Sequence, residues 1–389
     1  MTYKSHDVGP AYLDYNATSP TRPEALEAVL SAMQAVGNAS STHRSGRDAS
    51  GRVDLARRQI ADLLNCSHRE IVFTSGATEA NNLALRAAFA AGGKLVTSSA
   101  EHPAVLETAK ALTAESSDSL VLLPVDEDGL VGMGAFRAAL ATNDVAIVSL
   151  MAANNETGVL TDLAPVVEAA HELGVLVHSD ATQLVGRLPI DLAETDVDLL
   201  SLSAHKFGGP QGVGALFVRR GISLPYRPLL FGGGQERGWR AGTLNVAGIA
   251  GAGAAAEAAQ KSLAAEASQI AQLRDVLEES LVEQVGDCRV NGARGQRLPG
   301  VTSITFRGAP ADAVLAAMPD VAASEGSACS SGAPSPSHVL LAMGRSREEA
   351  DSTVRFSLGY ATTAHDIDRA VSSAVRAVRQ VRAALAVPL

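Results

Sequence analysis

From Ile71 onward the chain alternates short, continuous apolar runs with stretches in which apolar positions recur at helical spacing. The runs are Ile71–Thr74, Lys94–Ser98, Leu120–Val125, Val145–Met151, Val175–His178, Val197–Ser203 and Val213–Val218. Between them Glu79–Ala90, Pro103–Ala114, Gly134–Ala141 and Leu163–Leu173 read as helices, the last with Pro165 near its start, where a helix tolerates it. Strands that are apolar throughout and separated by helices predict an α/β fold, its sheet mostly parallel and covered on both faces. After Gly242 the rhythm changes. An Ala-rich helical stretch, Val246–Val285, leads into a strand (Val301–Phe306), a helix (Pro310–Ala317), another helix (Ser337–Met343), a strand (Thr353–Leu358) and a terminal helix (Ala364–Leu385). This second part reads as a smaller α+β unit. The expected organisation is an N-terminal segment, 1–20, packing on the small unit, a large unit over 21–255 and the small unit over 256–389.

Composition narrows the function. A net charge of −10 with no basic stripe argues against nucleic acid as a ligand. Residues 1–9 contain no apolar core or cleavage motif, and Leu244–Ala259 is too short and too weakly apolar to span a bilayer. Cys66, Cys288 and Cys329 lie far apart, without metal-ligand spacing, so neither a disulfide framework nor a metal site is expected. A reducing cytoplasm is the expected location.

Two segments carry the chemistry. Lys206 follows directly on the apolar run that ends at Ser203, a position where an ammonium is costly to bury and an amine is usable as a nucleophile. Cys329 stands among Ser, Ala and Gly, in a stretch from Ser324 to Ser337 with few large apolar neighbours. A lysine able to form a Schiff base and an accessible thiol together suggest pyridoxal phosphate (PLP) chemistry that passes on a sulfur atom.

Other polar residues stand at strand ends, where open α/β sheets bind ligands. Thr74-Ser75-Gly76-Ala77-Thr78 is a glycine turn opening a helix, either an ordinary N-cap or a phosphate cup built from backbone N–H groups and the Thr78 hydroxyl. Asp180 follows a buried strand and either caps the next turn or pairs with a cation such as a protonated pyridine nitrogen, with Gln183 placed to donate to the ring's phenolic oxygen. His102 either caps a helix or stacks on a flat cofactor and shuttles protons. Asn155 either belongs to an Asn–Gly turn or contacts cofactor or substrate. Gly208–Gly214 is set aside as a dinucleotide loop because it precedes a strand rather than a helix, and Phe231–Gly238 lacks the GK[ST] of a Walker loop.

As a set these residues resemble the class V aminotransferase-like cysteine desulfurases, specifically the NifS/IscS branch. The markers keep the family's order over nearly the whole chain: Thr74-Ser75-Gly76-Ala77-Thr78-Glu79, Glu101-His102, Asn154-Asn155-Glu156, Asp180-Ala181-Thr182-Gln183, Ser203-Ala204-His205-Lys206, Gly232-Gly233-Gly234-Gln235-Glu236-Arg237 and Gly326-Ser327-Ala328-Cys329. The Arg-x-Gly-His-His-Cys signature of the other desulfurase group is missing. The resemblance implies a fold type I PLP-dependent transferase with a seven-stranded sheet, working as a homodimer. It implies Lys206 as the cofactor-bearing lysine, Asp180 as partner of the pyridinium and His102 as the stacking residue, with Gln183 on the phenolic oxygen. Ala77, Thr78, Ser203 and His205 fall to the phosphate, with Thr243 reaching the cofactor of the other subunit, and Asn155 and Arg355 fall to the substrate carboxylate. A guanidinium fork suits that last role independently.

The reaction this implies converts L-cysteine to L-alanine and leaves a persulfide on Cys329, which is passed to a protein sulfur acceptor such as an iron–sulfur scaffold or a thiolation protein. The alternatives are a selenocysteine lyase or another class V enzyme on the same fold, and a non-catalytic sulfur-assembly subunit.

Overall fold

The computed structural model describes residues 9–142, 144–222, 224, 228–326 and 335–386. The chain opens with strand β1 (Ala11–Tyr12) and two helices, α1 (Pro23–Met33) and α2 (Arg44–Leu64). Strand–helix alternation follows: β2 (Ile71–Thr74), α3 (Ala77–Ala88), β3 (Lys94–Ser98), α4 (Pro103–Leu112), β4 (Leu120–Leu123), α5 (Met133–Leu140), β5 (Val145–Ser149), α6 (Ala164–His171), β6 (Leu176–Asp180), β7 (Leu199–Ser203) and β8 (Gly214–Val218). The seven strands form one sheet in the order β2-β8-β7-β6-β5-β3-β4, parallel except for β8, which runs antiparallel to both neighbours. The continuous apolar runs follow from burial on both faces: β2 and β7 have no exposed residue, and the helices cover the sheet on either side.

Helix α7 (Val246–Val285) is a single 40-residue rod. Its first half, through Ala252, Ala255 and Ala256, belongs to the large core, and Leu277 and Leu281 belong to the small one. The expected division at 255/256 therefore falls inside an unbroken helix.

The small unit contains β9 (Cys288–Val290), β10 (Val301–Phe306), α8 (Ala311–Ala316), β11 (Val321–Ala322), β12 (Ser324–Glu325), α9 (His338–Ala342), α10 (Arg347–Asp351), β13 (Thr353–Ser357) and α11 (Ala364–Leu385). Its antiparallel sheet has the order β12-β13-β10-β9. Helix α11 starts in a capping box, with Thr363 Oγ1 accepting from Asp366 N and the Asp366 carboxylate accepting from Thr363 N, and buries Ile367, Ala370, Val371, Ala374, Val378 and Val381 along one stripe. Strand β1 pairs with β11, and Asn16 N donates to Ser357 Oγ, so residues 11–16 run along the small unit.

Candidate active site

Because β2, β3, β5, β6 and β7 run in one direction, their carboxyl ends open on one side, and a cavity of about 460 Å³ lies there. Ala77, Thr78, His102, Asn155, Asp180, Gln183, Ser203, His205 and Lys206 all line it, contributed by the turns after these strands or by the strand ends themselves. Asp180 is the last residue of β6 rather than a residue beyond it, and Lys206 closes a 3₁₀ turn (Ala204–Lys206) that follows β7.

Lys206 reaches across to the N-terminal segment. Its Nζ donates to the carbonyls of Asn16 and Ala17, the latter at 2.9 Å, and Ser19 Oγ donates to the Lys206 carbonyl at 2.8 Å. Asn16 is in turn fixed by Arg187, which donates to Asn16 Oδ1 and, at 2.8 Å, to the Tyr15 carbonyl. Gln183 Nε2 also donates to the Asn16 carbonyl at 3.1 Å, so the amide expected to meet a ligand through its nitrogen is engaged with the backbone. His205 Nδ1 lies 3.1 Å from Thr18 Oγ1, and burial, with the charges of Lys206 and Arg187, pushes its pKa down to about 4.

The floor is held by Asp180. Its Oδ2 accepts from Asn81 Nδ2 at 2.7 Å and its Oδ1 from Thr182 N at 3.0 Å. His178, two residues earlier on β6, bridges Ser149 Oγ and Ser201 Oγ at 2.9 Å each, and burial lowers its pKa to about 4, so it is a neutral strut between three strands. His102 accepts from Ala104 N through Nδ1 at 3.0 Å, which leaves the proton of a neutral ring on Nε2. Burial, with the charges of Lys206 and His338, lowers its pKa against the opposing charge of Asp180, and so favours the neutral ring. Glu101, directly before it, is fully buried and accepts from Met151 N at 2.7 Å; burial raises its carboxyl to about 8, helped by the charge of Asp180.

Four lining residues carry a buried polar atom without a hydrogen-bond partner: Asn81 Oδ1, Asn155 Oδ1, Thr182 Oγ1 and Gln183 Oε1. Each such atom costs about 1–3 kcal/mol unless a ligand or water meets it. The cavity is therefore built for a polar guest, with a carboxylate at its floor and the N–H groups of the first turn of α3 at one wall.

Two expected residues, Arg355 and Thr243, lie outside the cavity lining. Arg355 is 1 % exposed and lies outside the lining: one terminal nitrogen donates to Asp14 Oδ1 at 2.8 Å and the other to the Asn155 carbonyl at 3.0 Å, while its Nε has no partner. Thr243 is exposed and does not line the cavity. Cys329 lies outside the described residues. The other two cysteines are half-buried, and burial pushes the Cys66 thiol up to about 12 and the Cys288 thiol upward as well.

The stretch from Gly232 to Thr243 is tied down elsewhere. Glu236 is buried and accepts from Arg57 at 2.5 and 2.8 Å and from Phe73 N at 2.8 Å, although Glu236 and Arg237 both stand in the left-handed region, at φ of 48° and 57°. Arg240 pairs with Glu79 at 2.9 Å.

The sequence reading had no role for Asn16, Asn81, Glu101, Arg187 or Glu156. Asn81 had a signal: it occupies a buried position on the same stripe of α3 as Ala77, Ala84, Leu85 and Ala88, where a polar side chain needs a reason.

The model of the aminotransferase class-V family matches residues 11–370. A cysteine desulfurase of Frankia sp. (strain EuIK1) is 45% identical over 385 residues, 95% of this chain and 92% of the relative. The cysteine desulfurase IscS of Shewanella frigidimarina is 40% identical over 381 residues, 96% and 94% of the two chains. A solved NifS-like protein superposes with a TM-score of 0.88 at 33% identity, covering 95% of this chain and all of that one.

Proposed function

We propose, for a chain that belongs to the aminotransferase class-V family and within it to the cysteine desulfurases, that Lys206, Asp180 and Cys329 convert L-cysteine to L-alanine and a protein persulfide. The cofactor of this class is pyridoxal 5′-phosphate, and the observation that carries the reading is the cavity itself. One amine (Lys206), the carboxylates of Asp180 and Glu79, the imidazoles of His102 and His205 and four buried polar atoms without partners converge on a space sized for a phosphorylated pyridine. Bound PLP supplies an electron sink for charge developing at the substrate's α-carbon.

The chain's own residues do the rest. Asp180 holds the cofactor's ring nitrogen charged, and Asn81 and Thr182 N hold Asp180. The ring of His102 would stack on the cofactor. Ala77, Thr78, Ser203 and His205 receive the phosphate beside the first turn of α3, where unpaired N–H groups favour an anion. Lys206 Nζ would hold the cofactor and supply the base that takes the α-proton of the substrate. Asn155 and Arg355 hold the substrate carboxylate; the unpartnered Arg355 Nε and its contact with Asn155 support this, and the Asp14 pair must yield for it. Cys329 as thiolate then attacks the substrate sulfur: the bond from the β-carbon to sulfur breaks, an S–S bond forms, and the β-carbon gains a proton. The products are L-alanine and Cys329–S–SH, which a protein thiol accepts. The enzyme works in the cytoplasm as a homodimer; the homodimer is supported by an uncovered apolar face on α1 (Leu26, Leu30, Met33) continuing to Val36, and by exposed Phe231 in the glycine-rich loop.

Borohydride reduction followed by peptide mapping should fix PLP on Lys206 and on no residue of a Lys206→Ala variant. Cys329→Ser should still bind PLP and change its absorbance with L-cysteine, yet form no persulfide and little alanine. Alanine at the parent rate from that variant would replace the desulfurase with a lyase that releases sulfide directly.

A further inference from the structure

The described residues on either side of the Cys329 segment, Gly326 and Ser337, meet on one buried carboxylate. Glu156 is 3 % exposed, and its Oε2 accepts from Ser337 Oγ. Ser337 Oγ also accepts from Leu340 N at 3.1 Å, capping α9, so the same hydroxyl starts the helix and ties it down. On the other side, a Cβ added to Gly326 would stand 2.5 Å from Glu156 Oε2 and 3.3 Å from its Cδ, so the backbone passes directly against the carboxylate. Glu156 is itself fixed by its turn, in which Asn154 Oδ1 accepts from the N–H groups of Glu156 and Thr157 at 2.9 Å each. A second tie lies beside the first: His338 Nε2 is 2.8 Å from the Glu101 carbonyl.

These ties join the described flanks of the segment to the cavity wall. Glu156 follows Asn155, and Glu101 precedes His102; both neighbours line the cavity. The approach to Gly326 is fixed as well, since β12 pairs with β13 at Arg355 and Val354. A buried carboxylate is a costly way to fill space, because an apolar side chain of similar volume folds at least as well. What it offers is a strong, charge-assisted acceptor for one hydroxyl. Burial raises its pKa, opposed by the Ser337 hydrogen bond and the charges of His338 and Arg355.

We propose that Glu156 is a positioning residue for sulfur transfer: by holding Ser337 and lying against Gly326 it fixes both roots of the Cys329 segment to the turn that presents Asn155. The inference rests on the desulfurase reading. Fixing the residues that flank a nucleophile in the chain limits how its attack can be directed, and attack by a thiolate on a bound sulfur depends steeply on that placement.

The test uses the full-length holoenzyme with Glu156→Ala, Glu156→Gln and Gly326→Ala. Three quantities are read: the absorbance response to L-cysteine, the single-turnover rate of persulfide formation on Cys329 by mass spectrometry, and the substrate-free alkylation rate of Cys329 by iodoacetamide, with Cys66 and Cys288 as internal references. Glu156→Ala should slow persulfide formation on the order of 10- to 100-fold. Its half-saturation by L-cysteine should stay within about twofold of the parent, and Cys329 should alkylate at a clearly different rate. Glu156→Gln, which keeps an acceptor for Ser337, should recover most of the loss. Gly326→Ala should reproduce it, and adding Glu156→Ala to Gly326→Ala should cost little more, because the added methyl then has room. The proposal is overturned if persulfide formation and alkylation in Glu156→Ala match the parent, or if the absorbance response to L-cysteine and the persulfide rate are lost together, as a general loss of structure would make them. Should Glu156→Ala fail to fold, Gly326→Ala and Ser337→Ala decide the matter by the same readouts. A parent that forms no persulfide sinks the desulfurase reading instead, and the alkylation rates still report on the tie.

Discussion

Replacing Arg57 by Met tests how the glycine-rich loop is held. In the parent, the buried Glu236 carboxylate has three donors: both terminal nitrogens of Arg57 and Phe73 N. Arg57→Met removes two of them and leaves an unmatched charge where water does not reach, at a cost of about 3–5 kcal/mol. The Ile71 carbonyl also loses Arg57 but keeps Arg237, which donates to it at 2.8 Å, so little is added there. Arg57→Met with Glu236→Met removes the stranded charge and leaves only Phe73 N without an acceptor, at about 1–3 kcal/mol. The double variant is therefore expected to be more stable than Arg57→Met alone. Urea unfolding followed by circular dichroism, with the slope checked for constancy, gives both values. Limited trypsinolysis adds a local readout, because Arg237 and Arg240 lie in the loop and should be cut faster in the single variant. A double variant as unstable as Arg57→Met, or a single variant costing less than about 1 kcal/mol, would refute the reasoning, since the pair would then behave like an exposed one.

Two further outcomes are expected. Mixing Lys206→Ala chains with Thr243→Ala chains should leave one intact cofactor site per mixed dimer if Thr243 serves the neighbouring subunit, because both lesions then fall on the same site; cofactor content of the isolated heterodimer reads this, and two impaired sites or a monomer by light scattering contradict it. Stability should fall as pH drops from about 6.5 toward 4, because His178 and His205 are held neutral in the fold and take up protons once unfolded. His178→Gln, which can still bridge the two serines, should narrow the difference in melting temperature between about pH 7.5 and about pH 5; an unchanged difference would show that His178 is not among the groups responsible.

The parts of this molecule legible in its sequence are those where burial writes a continuous signature. All seven strands of the large sheet appear as apolar runs, β2 and β3 with the same ends and the other five with ends displaced by one or two residues. Eight of the nine expected lining residues, all but Ala77, stand out as polar groups at or just beyond the ends of those runs. Direction is not written in such a run, so β8 gives no sign that it is antiparallel. Helices α1 and α2 escape because α2 is rich in Arg and Asp and interrupted by Gly46 and Gly51, and half of its surface faces outward. Strand β9 is three residues long and only partly buried, too little to rise above its surroundings. The network behind the cavity was out of reach for another reason. Arg187, Asn16 and Lys206 are brought together by hydrogen bonds between residues more than 150 positions apart, some through backbone carbonyls, which carry no sequence identity. The partners of Arg355 are likewise invisible in the sequence, since one arm of its guanidinium meets Asp14, 341 positions away, and the other a backbone carbonyl.

The length of α7 sets how force can travel in this molecule. At about 1.5 Å per residue its 40 residues make a shaft of roughly 60 Å. Its near end is bedded through small residues: a Cβ on Gly251 would press within 2.5 Å of Val29 and 3.2 Å of Pro210, four residues beyond Lys206, and one on Gly253 within 2.4 Å of Ala56. A shaft seated that closely cannot roll or slide without lifting off its bed, yet its far end carries Leu277 and Leu281 inside the other core. By leverage, a tilt of one degree at the bed moves the far tip by about 1 Å. A methyl group inserted beneath the near end, far from any reacting atom, would thus be felt across the whole of the smaller unit as a displacement rather than as a local dent.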